Sequence, residues 1–258
     1  MDFGLKGKTA LVLGASQGLG AACAKELALE GANVIAAARN THAIDAWAKE
    51  ARLSDRVRAV RLDLADADAV SAFAEKMSVE GIDIVVNNCG GPAAGPAQGQ
   101  SRAAWLAAFE AMALPIMQIT DALLKDMTER GFGRVITIGS SGVLSPIPNL
   151  ALSNGVRGAL AGWSKTLAGE VAASGVTVNM ALPGRIATDR VASLDAIKAE
   201  KDGVSVEAVA KSSKAAIPAG RYGDPAEFAA VVAFLASSRA SFVNGSMIRV
   251  DGGMLKQL

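Results

Sequence analysis

Three glycines and one arginine carry the first chemistry that the sequence makes legible. "GASQGLG", residues 14–20, follows a short apolar run and leads into the helical pattern "AACAKELALEG". A glycine-rich turn between a strand and a helix lets the backbone approach a pyrophosphate closely. The helix N-terminus behind it offers free N–H groups and a favourable dipole. Gly14, Ser16, Gln17, Gly18, Leu19 and Gly20 are therefore expected to cradle a dinucleotide. Their Gly14-x3-Gly18-x-Gly20 spacing differs from the common G-x-G-x-x-G form. A second apolar run ends at Ala38, followed by Arg39. An acidic residue at that point would accept a bond from a ribose 2′-hydroxyl, whereas a guanidinium favours a 2′-phosphate. The expected cofactor is NADP(H), with NAD(H) the weaker ligand.

Positioning such a loop takes a regular scaffold, and the chain is patterned for one. Seven short apolar runs (9–14, 33–38, 57–62, 82–87, 134–139, 176–181 and 246–250) alternate with longer segments rich in Ala, Leu, Glu and Lys. That alternation predicts one doubly wound α/β Rossmann domain over residues 1–258, a seven-stranded parallel sheet with helices on both faces. Residues 101–130 are expected to form one long helix, and another follows Leu152; both are rich in small residues that permit close helix packing, and alanine also favours helix by itself. Trp105 and Trp163 are expected to pack on these two helices. The charged, amphipathic stretch 189–217 after a Pro-Gly turn is expected to form a substrate lid, although a surface excursion would carry the same pattern.

Composition narrows the classes. With 258 residues, 51% hydrophobic, 26 basic and 25 acidic side chains, the chain is long enough for a large buried core. It offers no basic run, aromatic platform or zinc-ligand pattern, so neither nucleic acid nor a metal is an expected ligand. No signal peptide is legible, and no run approaches the roughly 18 uninterrupted apolar residues of a membrane span. Two cysteines are too few for a disulfide framework. A cytoplasmic location is the expectation.

Together these motifs resemble the classical short-chain dehydrogenase/reductase family over essentially the whole chain. "LGASQGLG" is similar to its T-G-x-x-x-G-x-G loop, with Leu13 at the threonine position. The resemblance implies that Asp63, with Leu64 beside it, meets adenine. "NNCG" (87–90) matches N-N-A-G, which brings Asn88, Cys89 and Gly90 to the cofactor; the Cys89 side chain reads as a small buried thiol in place of alanine. "ALPGRIAT" (181–188) resembles the P-G-x-x-x-T segment, so Pro183 and Gly184 shape a turn from which the Ile186 backbone and Thr188 meet the nicotinamide carboxamide. The segment from Arg221 to Gly253 resembles 3-oxoacyl-acyl-carrier-protein reductases. "NNCGGP" and "NLALSN" further resemble a divergent branch of such proteins with an imperfect catalytic set.

The family reduces carbonyls with an Asn-Ser-Tyr-Lys tetrad. Ser140 falls on the serine position. Ser153, thirteen residues on, falls on the tyrosine position, Arg157 on the lysine position and Met112 on the asparagine position. The one tyrosine, Tyr222, is followed four residues later by Ala226, so no Y-x-x-x-K exists. An aliphatic hydroxyl is a far weaker acid than a phenol, and losing a positioned general acid costs on the order of 10²–10⁴ in rate. Arg157 remains cationic and can bond a ribose or an oxyanion, but does not readily pass a proton. Asn149 and Asn154 are candidates either for a replacement hydrogen bond near substrate or for a cap and turn.

Three functions fit. The first is an NADP-dependent oxidoreductase acting on a carbonyl or secondary alcohol, in a small molecule or acyl thioester, with Ser140, Ser153 and Arg157 as its catalytic set. The second is a non-catalytic dinucleotide-binding sensor or partner subunit. The third is a halohydrin-dehalogenase-like lyase, disfavoured because "GASQGLG" is not remodelled to hold halide. The family resemblance and the small-residue helices imply a homo-tetramer or homo-dimer. His42, the only histidine, is expected to take no part.

Overall fold

A computed structural model describes residues 2–257. Seven strands form one sheet: β1 (Thr9–Leu13), β2 (Asn33–Ala38), β3 (Val57–Arg61), β4 (Ile84–Asn87), β5 (Gly133–Ile138), β6 (Val176–Pro183) and β7 (Met247–Val250). Every pairing is parallel, in the order β3-β2-β1-β4-β5-β6-β7. The order reverses between β1 and β4, which opens a crevice beyond the C-terminal ends of those strands, where ligands bind in such sheets. Central strands are covered on both faces and read as continuous apolar runs, "TALVL" in β1 and "IVVN" in β4. The edge strand β7 alternates exposed and half-buried residues instead.

Helices α1 (Gly18–Leu29), α2 (Thr41–Glu50) and α9 (Pro225–Ala236) supply one face. Their buried residues, among them Leu27, Ile44, Trp47 and Phe228, pack on Val12, Ala36 and Ile136. Helices α3 (Ala67–Met77), α5 (Leu114–Glu129) and α6 (Ala151–Val171) supply the other, where Phe73, Ile119, Leu123 and Leu167 meet Leu11, Val85 and Val178. Each fully buried Leu, Ile or Phe contributes roughly 1.5–3 kcal/mol relative to exposure. The remaining helices are α4 (Arg102–Met112), α7 (Asp189–Asp202) and α8 (Val206–Ala215).

The expected helix over 101–130 is two helices. α4 ends at Met112 and α5 begins at Leu114, with Pro115 in the first turn of α5. Proline has no N–H to donate to the carbonyl four residues back, and its ring crowds that carbonyl, so the helix breaks just before it. By length and hydropathy alone Arg102–Glu129 is apolar enough to cross a membrane. Here its buried residues instead join the core, Met112 and Ile116 beside α6 and Ile119 and Leu123 against the sheet.

Candidate active site

The glycine loop is built so that no added carbon fits. Gly14 and Gly18 have φ of +61° and +57°, values that L side chains rarely adopt. A Cβ on Gly20 would stand 2.2 Å from the Gly14 carbonyl oxygen, so the turn closes only around glycine. Two side chains lock it from outside. Asn88 Nδ2 donates to the Gly14 carbonyl at 3.2 Å, and the Trp47 indole N–H donates to the Ala15 carbonyl at 3.0 Å. Ser16, Gln17 and Leu19 occupy the turn into α1, with Gln17 at its N-cap in extended conformation and no side-chain cap bond. The Gln17 side chain thus does not cap the first N–H groups of α1, which leaves them available to an anion.

Across the crevice lies the turn after β6. Gly184 N–H is held by the Val250 carbonyl at 2.9 Å, and Ile186 forms an isolated parallel bridge with Gly223. Thr188 stands close to the glycine loop: a Cβ on Gly18 would lie 3.8 Å from Thr188 Cγ2. Of the expected Pro183, Gly184, Ile186 and Thr188, it is Thr188 that this distance brings beside the glycine loop. Arg39 follows β2 and is exposed, and Asp63 lies in the turn after β3, its carboxylate capping the Ala65 N–H at 3.1 Å with Leu64 half-buried beside it. A loop that a Cβ would fill, a helix N-terminus and a cation beyond the β2 end fit a nicotinamide dinucleotide carrying a 2′-phosphate.

Ser140, Ser153 and Arg157 gather at the end of β5 and the start of α6. Ser140 Oγ accepts the Gly142 N–H at 3.0 Å and so starts a 3₁₀ turn at Ser141–Val143. Ser153 and Arg157 lie four residues apart, on one side of α6, both half-buried. Arg157 Nη1 donates to the Ile138 carbonyl at 2.9 Å and the Gly139 carbonyl at 3.1 Å. The guanidinium thus caps the last carbonyls of β5, immediately before Ser140. It also lies near Cys89, whose thiol burial pushes above the usual cysteine range while the Arg157 charge pulls it down. Cys89 Sγ donates to the Met112 carbonyl at 3.8 Å, so that thiol and Met112 close the wall between β4, α4 and α6. Gly90 follows in an exposed loop.

The two asparagines of "NLALSN" build the loop. Asn154 Nδ2 donates to the Ile147 carbonyl at 2.9 Å, and its Oδ1 accepts the Ile147 N–H at 3.3 Å. The primary amide thereby ties the start of α6 to the backbone of the 141–150 segment, the turn-building role that the sequence offered as one alternative. Asn149 has φ of +62°, and its carbonyl takes the Gly95 N–H at 2.8 Å. Asparagine tolerates that left-handed conformation better than most residues. Trp105 packs as expected, its ring close enough to Gly155 that a Cβ there would sit 2.7 Å away. The role of Trp47 escaped the sequence: its spacing from Ile44 marks a buried face, but not which carbonyl the indole meets.

Comparison with known proteins agrees with this geometry. A family described as Enoyl-(Acyl carrier protein) reductase matches residues 14–255. The chain is 35% identical over 254 residues to the 3-oxoacyl-[acyl-carrier-protein] reductase FabG of Vibrio cholerae, covering 97% of this chain and 98% of that one. It is 34% identical over 258 residues to the FabG of Escherichia coli, covering 98% and 99%. Among solved structures, L-sorbose reductase from Gluconobacter frateurii complexed with NADPH and L-sorbose superposes with a TM-score of 0.92 at 32% identity, covering 100% of both chains. YwfH, an NADPH-dependent reductase involved in bacilysin biosynthesis, gives 0.92 at 28% identity, covering 98% of this chain and 100% of that one.

Proposed function

This chain belongs to the short-chain dehydrogenase/reductase family, and on that premise we propose that it is an NADP(H)-dependent oxidoreductase interconverting a carbonyl and a secondary alcohol. The observation that carries the reading is the dinucleotide cradle, Gly14–Gly20 locked by Asn88 and Trp47 and faced by Thr188, beside a serine and an arginine at the β5 end. Gly14, Ser16, Gln17, Gly18, Leu19 and Gly20 hold the pyrophosphate, Arg39 the 2′-phosphate, Asp63 and Leu64 the adenine, and Asn88, Cys89 and Gly90 the adjoining ribose. Pro183, Gly184, Ile186 and Thr188 orient the nicotinamide. The bound cofactor supplies or accepts the hydride.

The rest falls to the chain. Ser140 Oγ, with its lone pair already on the Gly142 N–H, keeps its own proton free to donate to a substrate oxygen. Arg157 supplies the positive charge beside that oxygen; placed in a half-buried site, this charge stabilises a developing oxyanion more than it would in water. Ser153 stands where the family's phenol stands, too short and too weakly acidic to protonate an alkoxide directly, so it holds a water that brings the proton. Residues 189–217, which include α7 and α8, form the lid over the substrate.

The test is a panel of carbonyl and alcohol substrates, acyl thioesters included, followed by nicotinamide absorbance and paired with calorimetric binding of NADPH and NADH. Enoyl thioesters belong in the panel, because hydride delivery to a conjugated double bond yields an enolate, a weaker base than an alkoxide, whose charge a cation such as Arg157 stabilises with less need for a proton donor. Micromolar NADPH binding, weaker NADH binding and turnover that Ser140→Ala abolishes are expected. One observation favours a second reading, a non-catalytic dinucleotide-binding protein: a guanidinium nitrogen of Arg157 is spent on two backbone carbonyls. Tight NADPH binding with turnover only in the double variant Ser153→Tyr, Arg157→Lys would select that reading.

A further inference from the structure

Tyr222, the only tyrosine in the chain, lies well apart from α6 in sequence and has partners of its own. Its hydroxyl donates to Asp195 Oδ2 at 2.6 Å. Asp195, on α7, is 2% exposed, and its other oxygen receives Arg185 Nη1 at 2.5 Å. A carboxylate so buried is tolerable only with such donors, and the two come from different segments. The Tyr222 ring also lies 5.9 Å from the Arg185 guanidinium and 5.3 Å from the Lys214 ammonium of α8.

The same two segments are joined through their backbones. Gly223 N–H donates to the Arg185 carbonyl at 3.0 Å, and Ala187 N–H donates to the Gly223 carbonyl at 2.8 Å. A Cβ on Gly223 would come within 2.6 Å of Ile186 Cδ1, so the Ile186 side chain lies directly over this bridge. The turn 184–188 that faces the glycine loop, the segment at Tyr222 and both helices α7 and α8 therefore converge on one phenol.

We propose that Tyr222 is a positioning residue that couples α7 and α8 to the turn 184–188, so that a dinucleotide held by that turn also closes the two helices over the site. The inference rests on the NADP(H) reading above. A ligand shifts a segment only by what it gains in one arrangement over another. A turn fixed by the cofactor presents Arg185 and Tyr222 to Asp195 in one geometry, so α7 docks onto donors already in place. Coupling of this kind is reciprocal and of the order of 5- to 150-fold.

Limited trypsin digestion of the full chain, with and without NADPH, tests it at Lys198, Lys201 and Lys211, which are exposed on α7 and α8. NADPH is expected to slow cleavage there by about fivefold or more in the unaltered protein. In Tyr222→Phe that protection is expected to disappear and, because the coupling is reciprocal, the calorimetric Kd for NADPH is expected to rise by a comparable factor, about fivefold. Equal protection in both proteins overturns the coupling and leaves the cofactor reading standing. Absence of NADPH binding to the unaltered protein overturns both. Asp195→Asn, which keeps shape and removes the charge that Arg185 meets, is the second variant. Lost protection with NADPH affinity weakened by a comparable factor supports the coupling, and unchanged protection overturns it, whether or not Tyr222→Phe folds.

Discussion

The guanidinium groups of Arg134 and Arg157 stand at opposite ends of β5, and their surroundings differ. Arg134 is 3% exposed; its Nε donates to the Ser237 carbonyl at 3.1 Å, and its Nη1 to the Gly133 and Gly175 carbonyls at 2.8 and 3.2 Å. The Phe132 ring stacks 4.3 Å away, and burial pulls the Arg134 pKa below the usual arginine value. Nothing in that arrangement faces a crevice. Arg157 also caps β5 carbonyls, but it is half-buried, through one nitrogen, beside Ser140 and Cys89. The same residue type thus closes the fold at the strand's beginning and borders the candidate site at its end. What separates the two is how many of the guanidinium's donors the backbone consumes.

Replacing each arginine separates the roles. Arg134→Met strands three carbonyls at a buried position and is expected to lower unfolding stability by about 3 kcal/mol or more, read from urea denaturation. A loss below about 1 kcal/mol would make the two arginines equivalent. Arg157→Met frees fewer bonds in a wetter place, and a loss of about 1 kcal/mol is expected. Its larger effect falls on turnover, about 10²-fold lower at unchanged NADPH affinity. Weakened NADPH binding instead would move Arg157 from the reacting oxygen to the cofactor ribose.

The smallest effect belongs to a third arginine, fully solvated. Arg221 forms a two-pronged pair with Glu227 at 2.7 and 2.6 Å, and Glu227 also accepts the Asp224 N–H that caps α9. The Arg221 guanidinium and that N–H hold the Glu227 carboxyl down to about 2. A depressed carboxylate contributes stability above its unfolded pKa of about 4.3 and loses it as pH falls towards 2. The melting temperatures of the unaltered protein and Glu227→Gln are therefore expected to differ by a small, constant amount from pH 6 to 8 and to converge below pH 4. A gap that keeps its neutral-pH size at pH 2.5 would mean that the capping geometry, and not the charge, is what Glu227 provides.

The contrast along β5 marks where the sequence stops being readable. All seven apolar runs become strands, because continuous β-branched stretches between helical patterns leave a parallel sheet little alternative. The glycine loop was legible because φ near +60° and a 2.2 Å approach restrict the residue type itself. The break at Ala113 had its signal in Pro115, outweighed by the uninterrupted alanine-rich pattern on both sides. The course of Arg157 had none: four residues after Ser153 fixes its side of α6, whereas the carbonyls it caps are brought there by β5. Nor could spacing show that Tyr222 meets Asp195, because that contact exists only once α7 has folded back across the turn after β6.

Trp47 has a practical consequence. Its indole nitrogen is bonded to the Ala15 carbonyl inside the glycine loop, and the side chain is only 6% exposed, against 36% for Trp105. An indole so placed emits at shorter wavelength than one in water, and its excited state lies within a few bonds of the glycine-rich turn. The chain therefore carries its own optical gauge of that turn: any shift of the loop changes the hydrogen bond on the chromophore, and the emission reports it without a label.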